Sequence, residues 1–160
     1  MIDRRPILLA TDGSPSAAGA QREAFELARL MDAPLLVVSI AHVVLPTVGY
    51  AAYGYSNVVA ELTDAEHKRV AALLETIEDA AAAEGIVCRT VEADGVAADE
   101  VCRIAGERGA RMIVVGSHGW GAGKRLLFGS VSTALLHHAP CPVLVVRGDE
   151  AAKRLEQTAA

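Results

Sequence analysis

Aromatic side chains make up only 4% of this 160-residue chain, so alanine, valine and leucine carry a hydrophobic fraction of 52%. That balance suits helices packed on a buried parallel sheet, whose strands read as continuous aliphatic runs. Cysteine is equally sparse. Cys88, Cys102 and Cys141 are odd in number, scattered and in no metal-ligand spacing, which argues against a disulfide framework or a zinc cluster. They read as small buried hydrophobes in a reducing compartment, with a redox site as the minor alternative. Positive charge is in deficit, with 15 Lys and Arg against 20 Asp and Glu and a net charge of −5. A general nucleic-acid or anionic-membrane binder needs a basic footprint that is missing here, although Lys124-Arg125 forms a local basic spot. No window approaches the ~18 apolar residues of a membrane span, and the basic start at Arg4-Arg5 is not followed by the apolar core of a signal peptide. A soluble, cytoplasmic protein is expected. The length favours one domain, placed at residues 1–148, with a polar, alanine-rich tail over 149–160.

What is present alternates. Ile7 to Ala10 reads as a short buried strand that ends at Thr11-Asp12-Gly13. Ser14-Pro15 then opens a helix, with serine as N-cap and proline at the first helical position. Ala17, Ala20, Ala24, Leu27, Ala28 and Met31 recur at three and four and define its apolar face. A second strand is expected over 35–40. Residues 42–62 hold Pro46, Gly49, Gly54 and all three tyrosines (Tyr50, Tyr53, Tyr55) and read as a long loop. Such a loop either folds over a ligand or partner, or is a surface insertion without chemistry. Thr63-Asp64-Ala65-Glu66 reads as a capping box for a helix carrying Val70, Leu73, Leu74 and Ile77 and stopping at Glu84-Gly85. Strands follow at 86–91, 112–115 and 142–146, with helices at 97–107 and 130–139. Strands alternating with helices predict one doubly wound, five-stranded parallel sheet with helices on both faces. Ligands of such sheets bind outside the carboxyl ends of the strands, where strand order reverses. If the first and fourth strands are neighbours there, Ala10-Thr11-Asp12 and the turn from Gly116 face one crevice.

The familiar phosphate loops fail. A Walker-type loop needs a glycine at position 118, which is His, and a hydroxyl at 125, which is Arg; Gly119, Gly121 and Gly123 are spaced by two and two, not as in the dinucleotide fingerprint. What stands instead is Val115-Gly116-Ser117-His118-Gly119, then Gly129-Ser130-Val131-Ser132 opening a helix. Strand, bare-backbone turn and helix N-terminus together suit an anionic phosphate chain. Other readings of these residues stay open. The glycines could serve tight turns with positive φ. Asp12 is either a turn residue or a neighbour of Mg²⁺ or the base. Ser130 is a natural N-cap with or without ligand. His118 is favoured as a polar loop contact over a general acid or base, for no carboxylate adjoins it. His137 and His138 suit a helix C-terminus. Trp120 either covers a ligand or sits between subunits.

The spacing Gly116-x2-Gly119-x9-Gly129-Ser130 resembles the ATP-binding signature of the universal stress protein family. So do the opening Ile-Leu-Leu-Ala-Thr-Asp-Gly-Ser and the closing Ala139-Pro140-Cys141-Pro142-Val143-Leu144-Val145-Val146, and the likeness runs over residues 4–147. The resemblance implies a Rossmann-like fold of the adenine-nucleotide hydrolase type. It also implies ATP, with or without Mg²⁺, held by Ala10, Thr11 and Asp12, by Ile40 near the adenine, by Val115 to Gly119 along ribose and phosphates, and by Gly129 to Ser132 at the phosphates. It implies a homodimer through Val143 to Val146, open to further assembly, and a regulatory protein partner of unknown identity.

The resulting expectation is a stress-response ATP-binding protein whose occupancy sets conformation or assembly, and not an enzyme, since no catalytic pairing accompanies Asp12. Slow ATP hydrolysis is left open. The alternatives are a slow ATPase or nucleotidyl-transfer enzyme of a related fold, and an interaction module with an empty pocket. Bulkier residues at Gly116 and Gly129 are expected to abolish binding while sparing the fold.

Overall fold

The computed structural model describes residues 4–41, 56–118 and 129–148. The elements run β1 (Ile7–Ala10), α1 (Pro15–Met31), β2 (Leu35–Ala41), α2 (Ser56–Ala83), β3 (Cys88–Asp94), α3 (Ala97–Glu107), β4 (Met112–Gly116), α4 (Ser130–His138) and β5 (Val143–Val146). All strands are parallel in the order β3-β2-β1-β4-β5. The chain therefore builds outward from β1 through β2 to β3, crosses back, and builds the other way through β4 to β5. The reversal falls between β1 and β4, which are neighbours as the sequence pattern requires.

Period-two alternation assigns each face its helices. Ile7, Leu9, Leu35, Val37 and Val114 face α1 and α2, meeting Ala20, Ala24, Phe25, Ala28, Val70, Leu74 and Ile77. Leu8, Ala10, Leu36, Val38, Ile113 and Val115 face the other way, onto Val101, Ile104, Ala105 and Leu135 of α3 and α4. Each fully buried Leu, Ile or Val contributes about 1.5–3 kcal/mol relative to exposure, so both faces are needed. Alanines on α1 bring that helix close to the sheet. Its start follows the sequence reading, since Ser14 Oγ accepts the Ala17 N–H at 3.3 Å and Pro15 is the first helical residue.

Several boundaries differ. Residues 56–62, expected in the long loop, form the first turns of α2, while 42–55 lie outside the described residues. Thr63 is consequently no N-cap: its hydroxyl donates back to Val59 O at 2.8 Å inside the helix. β3 is displaced to Cys88–Asp94, α4 ends at His138, and β5 starts at Val143. The N-cap of α4 is Gly129, extended at φ −75° and ψ 167°, so Ser130 is the first helical residue instead. The tail over 149–160, Gly119, Trp120 and Lys124-Arg125 also lie outside the described residues.

Burial raises the pKa of all three cysteines, with Cys88 pushed up to about 11 by desolvation and then by Glu78. The thiols are free and protonated at neutral pH, which fits packing rather than nucleophilic chemistry.

α2 is tied to the edge strand β3 by an exposed charge cluster. His67 Nδ1 donates to Glu92 Oε1 at 2.5 Å, and Nε2 lies 3.6 Å from Asp94 Oδ1. The Glu92 hydrogen bond chiefly raises the His67 pKa above its ordinary 6.5, against desolvation, with the charges of Asp94, Glu92 and Asp64 adding to it. A raised folded-state pKa means that the imidazolium is favoured by folding. Its stabilising contribution is complete below 6.5 and disappears as pH rises through the folded value. The His67 ring protons should titrate above the free-histidine midpoint by NMR, and Glu92→Gln should bring the midpoint back. An unshifted midpoint in the parent protein would remove this link.

Candidate functional site

The site is built where β1 and β4 end side by side. Ala10 lies opposite Val115. One residue further on, Thr11 N–H donates to Val38 O at 3.0 Å, and Ser117 N–H donates to Val146 O at 2.8 Å. Both turns thus leave the sheet from its ladders at the point where strand order reverses, so the structure brings the two sequence motifs together.

The first turn is held by its own side chains. Thr11 Oγ1 accepts from Gly13 N–H at 3.2 Å, and Asp12 Oδ1 accepts from Ser14 N–H at 2.9 Å. Gly13 takes a φ of +74°, which an L side chain rarely adopts. Asp12 therefore acts as a turn residue through an Asx-type bond. The Mg²⁺ alternative rests on this carboxylate alone, for among the described residues no group of three or more His, Cys, Asp or Glu could hold a metal ion. Ile40 is partly buried and packs on the α3/α4 side.

The second turn is shaped by close backbone packing. A Cβ on Gly116 would stand 3.0 Å from Ser16 O and 3.1 Å from Ser16 C in the first turn of α1. Neither Gly116 nor Gly129 takes a positive φ, so the tight-turn reading does not apply to them; Gly116 is there because α1 leaves no room for a side chain. His118 N–H donates to Ser16 Oγ at 3.4 Å, and its Nδ1 is 3.0 Å from Ser117 Oγ.

The third component is the start of α4. Gly129 N–H donates to Ser117 O at 2.7 Å, and the Ser132 hydroxyl donates to Ser117 O at 3.1 Å and to Gly129 O at 3.0 Å. These two donors are thus spent on fastening α4 to the β4 turn, and Ser132 is buried. The first intrahelical bond runs from Thr133 N–H to Gly129 O. The N–H groups of Ser130, Val131 and Ser132 precede it and stay outside the ladder. Three amides and the positive end of the helix dipole remain for an anion.

Three residues escaped the sequence reading. Ser16 braces the β4 turn from 102 residues away. Arg69 of α2 donates through Nη1 to Asp12 O at 3.2 Å while Nε and Nη2 hold Glu66 at 2.8 Å each, so a charged clamp supports the β1 turn. Ser39, near the end of β2, has a buried hydroxyl without a hydrogen-bond partner among the described residues, which is costly by about 1–3 kcal/mol. Ser16 and Arg69 belong to no local motif; only the third dimension unites them with the turns. Two cavities of about 600 and 610 Å³ open at the opposite end of the sheet, at the amino ends of the strands.

The universal stress protein family model matches residues 3–147. Universal stress protein YxiE of Bacillus subtilis is 32% identical over 144 residues, covering 88% of this chain and 97% of that protein. The fold is similar to universal stress protein UspA from Lactobacillus plantarum, with a TM-score of 0.79, 25% identity, and 90% and 98% of the two chains covered. Two more distant structures share the fold: a universal stress protein in complex with cAMP (TM-score 0.65, 23% identity, 90% and 97% covered) and one from Arabidopsis thaliana with AMP bound (TM-score 0.60, 19% identity, 89% and 90% covered).

Proposed function

The chain belongs to the universal stress protein family, and from that premise we propose that it binds an adenine nucleotide, ATP with or without Mg²⁺, in the crevice between the β1 and β4 turns. The observation that carries this reading is the convergence at one strand reversal of the Thr11–Asp12 turn, the Gly116–His118 turn and three first-turn amides of α4. AMP and cAMP, each bound by a structural relative, share adenine, ribose and one phosphate. The amides of Ser130, Val131 and Ser132 suit that phosphate and its extension. Gly116 presents backbone alone beside it, and Ala10 and Ile40 flank the base.

Occupancy in this reading sets conformation or assembly, not turnover. Hydrolysis needs a positioned base and charge stabilisation in the transition state. Asp12 is engaged in its turn, and His118 lies against Ser117. Assembly is assigned to β5, whose Val143–Val146 is uncharged and, among the described strands, pairs with β4 alone, with Leu144 exposed. The other edge, β3, carries Arg89, Glu92 and Asp94, and charged edges discourage strand pairing. A homodimer through β5, working in the cytoplasm with a regulatory partner, completes the proposal.

The test uses the purified chain, denatured in acid, with the supernatant resolved by HPLC. Adenine nucleotide near one per chain is expected. No nucleotide in the supernatant, together with no ATP binding at about 1 mM, would refute the assignment. ADP accumulating over many turnovers from added ATP would instead favour an enzyme.

A further inference from the structure

At the amino ends of the strands, away from the crevice, the cavity of about 610 Å³ is lined by four arginines, Arg4, Arg29, Arg89 and Arg108, against one carboxylate, Asp32. The chain has 20 acidic and 15 basic side chains, and several of its guanidiniums are closely neutralised. Outside the cavity Arg103 is held by Glu100 and Glu107 and Arg69 by Glu66, and within it Arg29 is paired with Glu84. The guanidiniums of Arg4, Arg89 and Arg108 differ: these side chains make no hydrogen bond or ion pair among the described residues. Three uncompensated like charges gathered round one concavity oppose compaction unless something answers them.

Local structure does not supply the answer. Arg108 follows the C-terminus of α3 and suits the negative end of its dipole. That explanation reaches neither Arg4, which precedes β1, nor Arg89, which lies in β3 opposite Leu36. The pairing places Arg89 on the α3 side of the sheet, the side of Arg108. The lining also includes the neutral Pro34, Leu36 and Val87. Guanidinium forks beside neutral groups match the oxygens of a phosphoryl group, which take paired N–H donors.

We propose that this cavity binds a small, multiply charged phosphoanion through Arg4, Arg89 and Arg108. The site is separate from the crevice and does not rest on the nucleotide reading. A concavity of this volume suits a small molecule better than an extended polyanion.

The test titrates inorganic pyrophosphate into the full chain at low ionic strength by calorimetry, beside an Arg4→Gln, Arg89→Gln, Arg108→Gln triple variant. All three positions are exposed, so the variant should fold, and its circular dichroism and thermal midpoint verify this. Saturable binding is expected in the parent protein, with a loss of tenfold or more in the variant. Pyrophosphate should also raise the parent's thermal midpoint and leave the variant's unmoved. AMP affinity, where the chain binds AMP, should be equal in both proteins, which separates this site from a phosphate subsite in the crevice. Absence of saturable binding to the parent, equal affinity in the triple variant, or full displacement of pyrophosphate by AMP would overturn the proposal.

Discussion

Gly116→Ala is expected to destabilise the protein by about 3 kcal/mol, the upper part of the usual range for overpacking a core. The added carbon would stand 3.0 Å from Ser16 O and 3.1 Å from Ser16 C. A flexible side chain could swing away from such a contact, but these are backbone atoms of the first turn of α1. The glycine itself ends β4, whose Gly116 pairs with Val146. Relief requires moving α1 off the sheet, and with it the Ser16–His118 bond and the packing of Ala17 and Ala20. Gly129→Ala is the internal control. Its Cβ would meet Ser117 O at 3.4 Å and His118 Cα at 3.5 Å, and alanine is merely a poor N-cap, a loss of about 1 kcal/mol. Urea unfolding of the two variants should therefore separate them. Equal midpoints, or a Gly116→Ala protein as stable as its parent, would show that α1 is not seated as described. Loss of nucleotide binding in Gly116→Ala would accordingly be no clean report on the binding loop, because the fold is perturbed with it.

That glycine marks the limit of what the sequence discloses. The signature spacing is visible in the chain, but the reason for Gly116 lies in α1, a hundred residues earlier. Local signals did well where local chemistry decides. Ser14-Pro15 marks the start of α1 because capping sets that end, and α3 occupies 97–107 as read because of its clean apolar period, its N-cap Val96 making no side-chain bond. The capping-box pattern at Thr63 misled because it is a permissive signal. Helix propagation from Ser56 passes through Thr63, whose hydroxyl simply returns to Val59 O. β3 was placed two to three residues early because a buried parallel strand was equated with an aliphatic run. An edge strand has a solvated side, so Glu92 and Asp94 extend it without penalty. The α4 cap was assigned to a hydroxyl, but cap position is set by backbone angles, and the extended residue is Gly129. The placement of β1 beside β4 was legible only as a condition; the strand order satisfies it.

The division of donors at α4 supports a sharper experiment on the crevice. Ser130→Pro should lower adenine-nucleotide affinity by roughly 10- to 100-fold, corresponding to about 1.5–3 kcal/mol for a hydrogen bond to a charged group. Proline removes one amide donor and little else, since Ser130 is the first residue of α4, where proline's fixed φ is compatible with the helix and its N–H is not needed by the ladder. The preceding residue must be extended, and Gly129 already is, at φ −75° and ψ 167°. The bonds that fasten α4, from Gly129 N–H and the Ser132 hydroxyl to Ser117 O, involve other atoms and survive. Ser130→Ala completes the comparison by deleting the hydroxyl and keeping the amide. If the phosphates are held by backbone, the alanine variant binds within a few-fold of the parent and the proline variant does not, while both unfold at the parent's urea midpoint. Equal weakening in the two variants would assign the contact to the hydroxyl. Full affinity in Ser130→Pro would remove this amide from the phosphate cradle and leave Val131 and Ser132 to carry it.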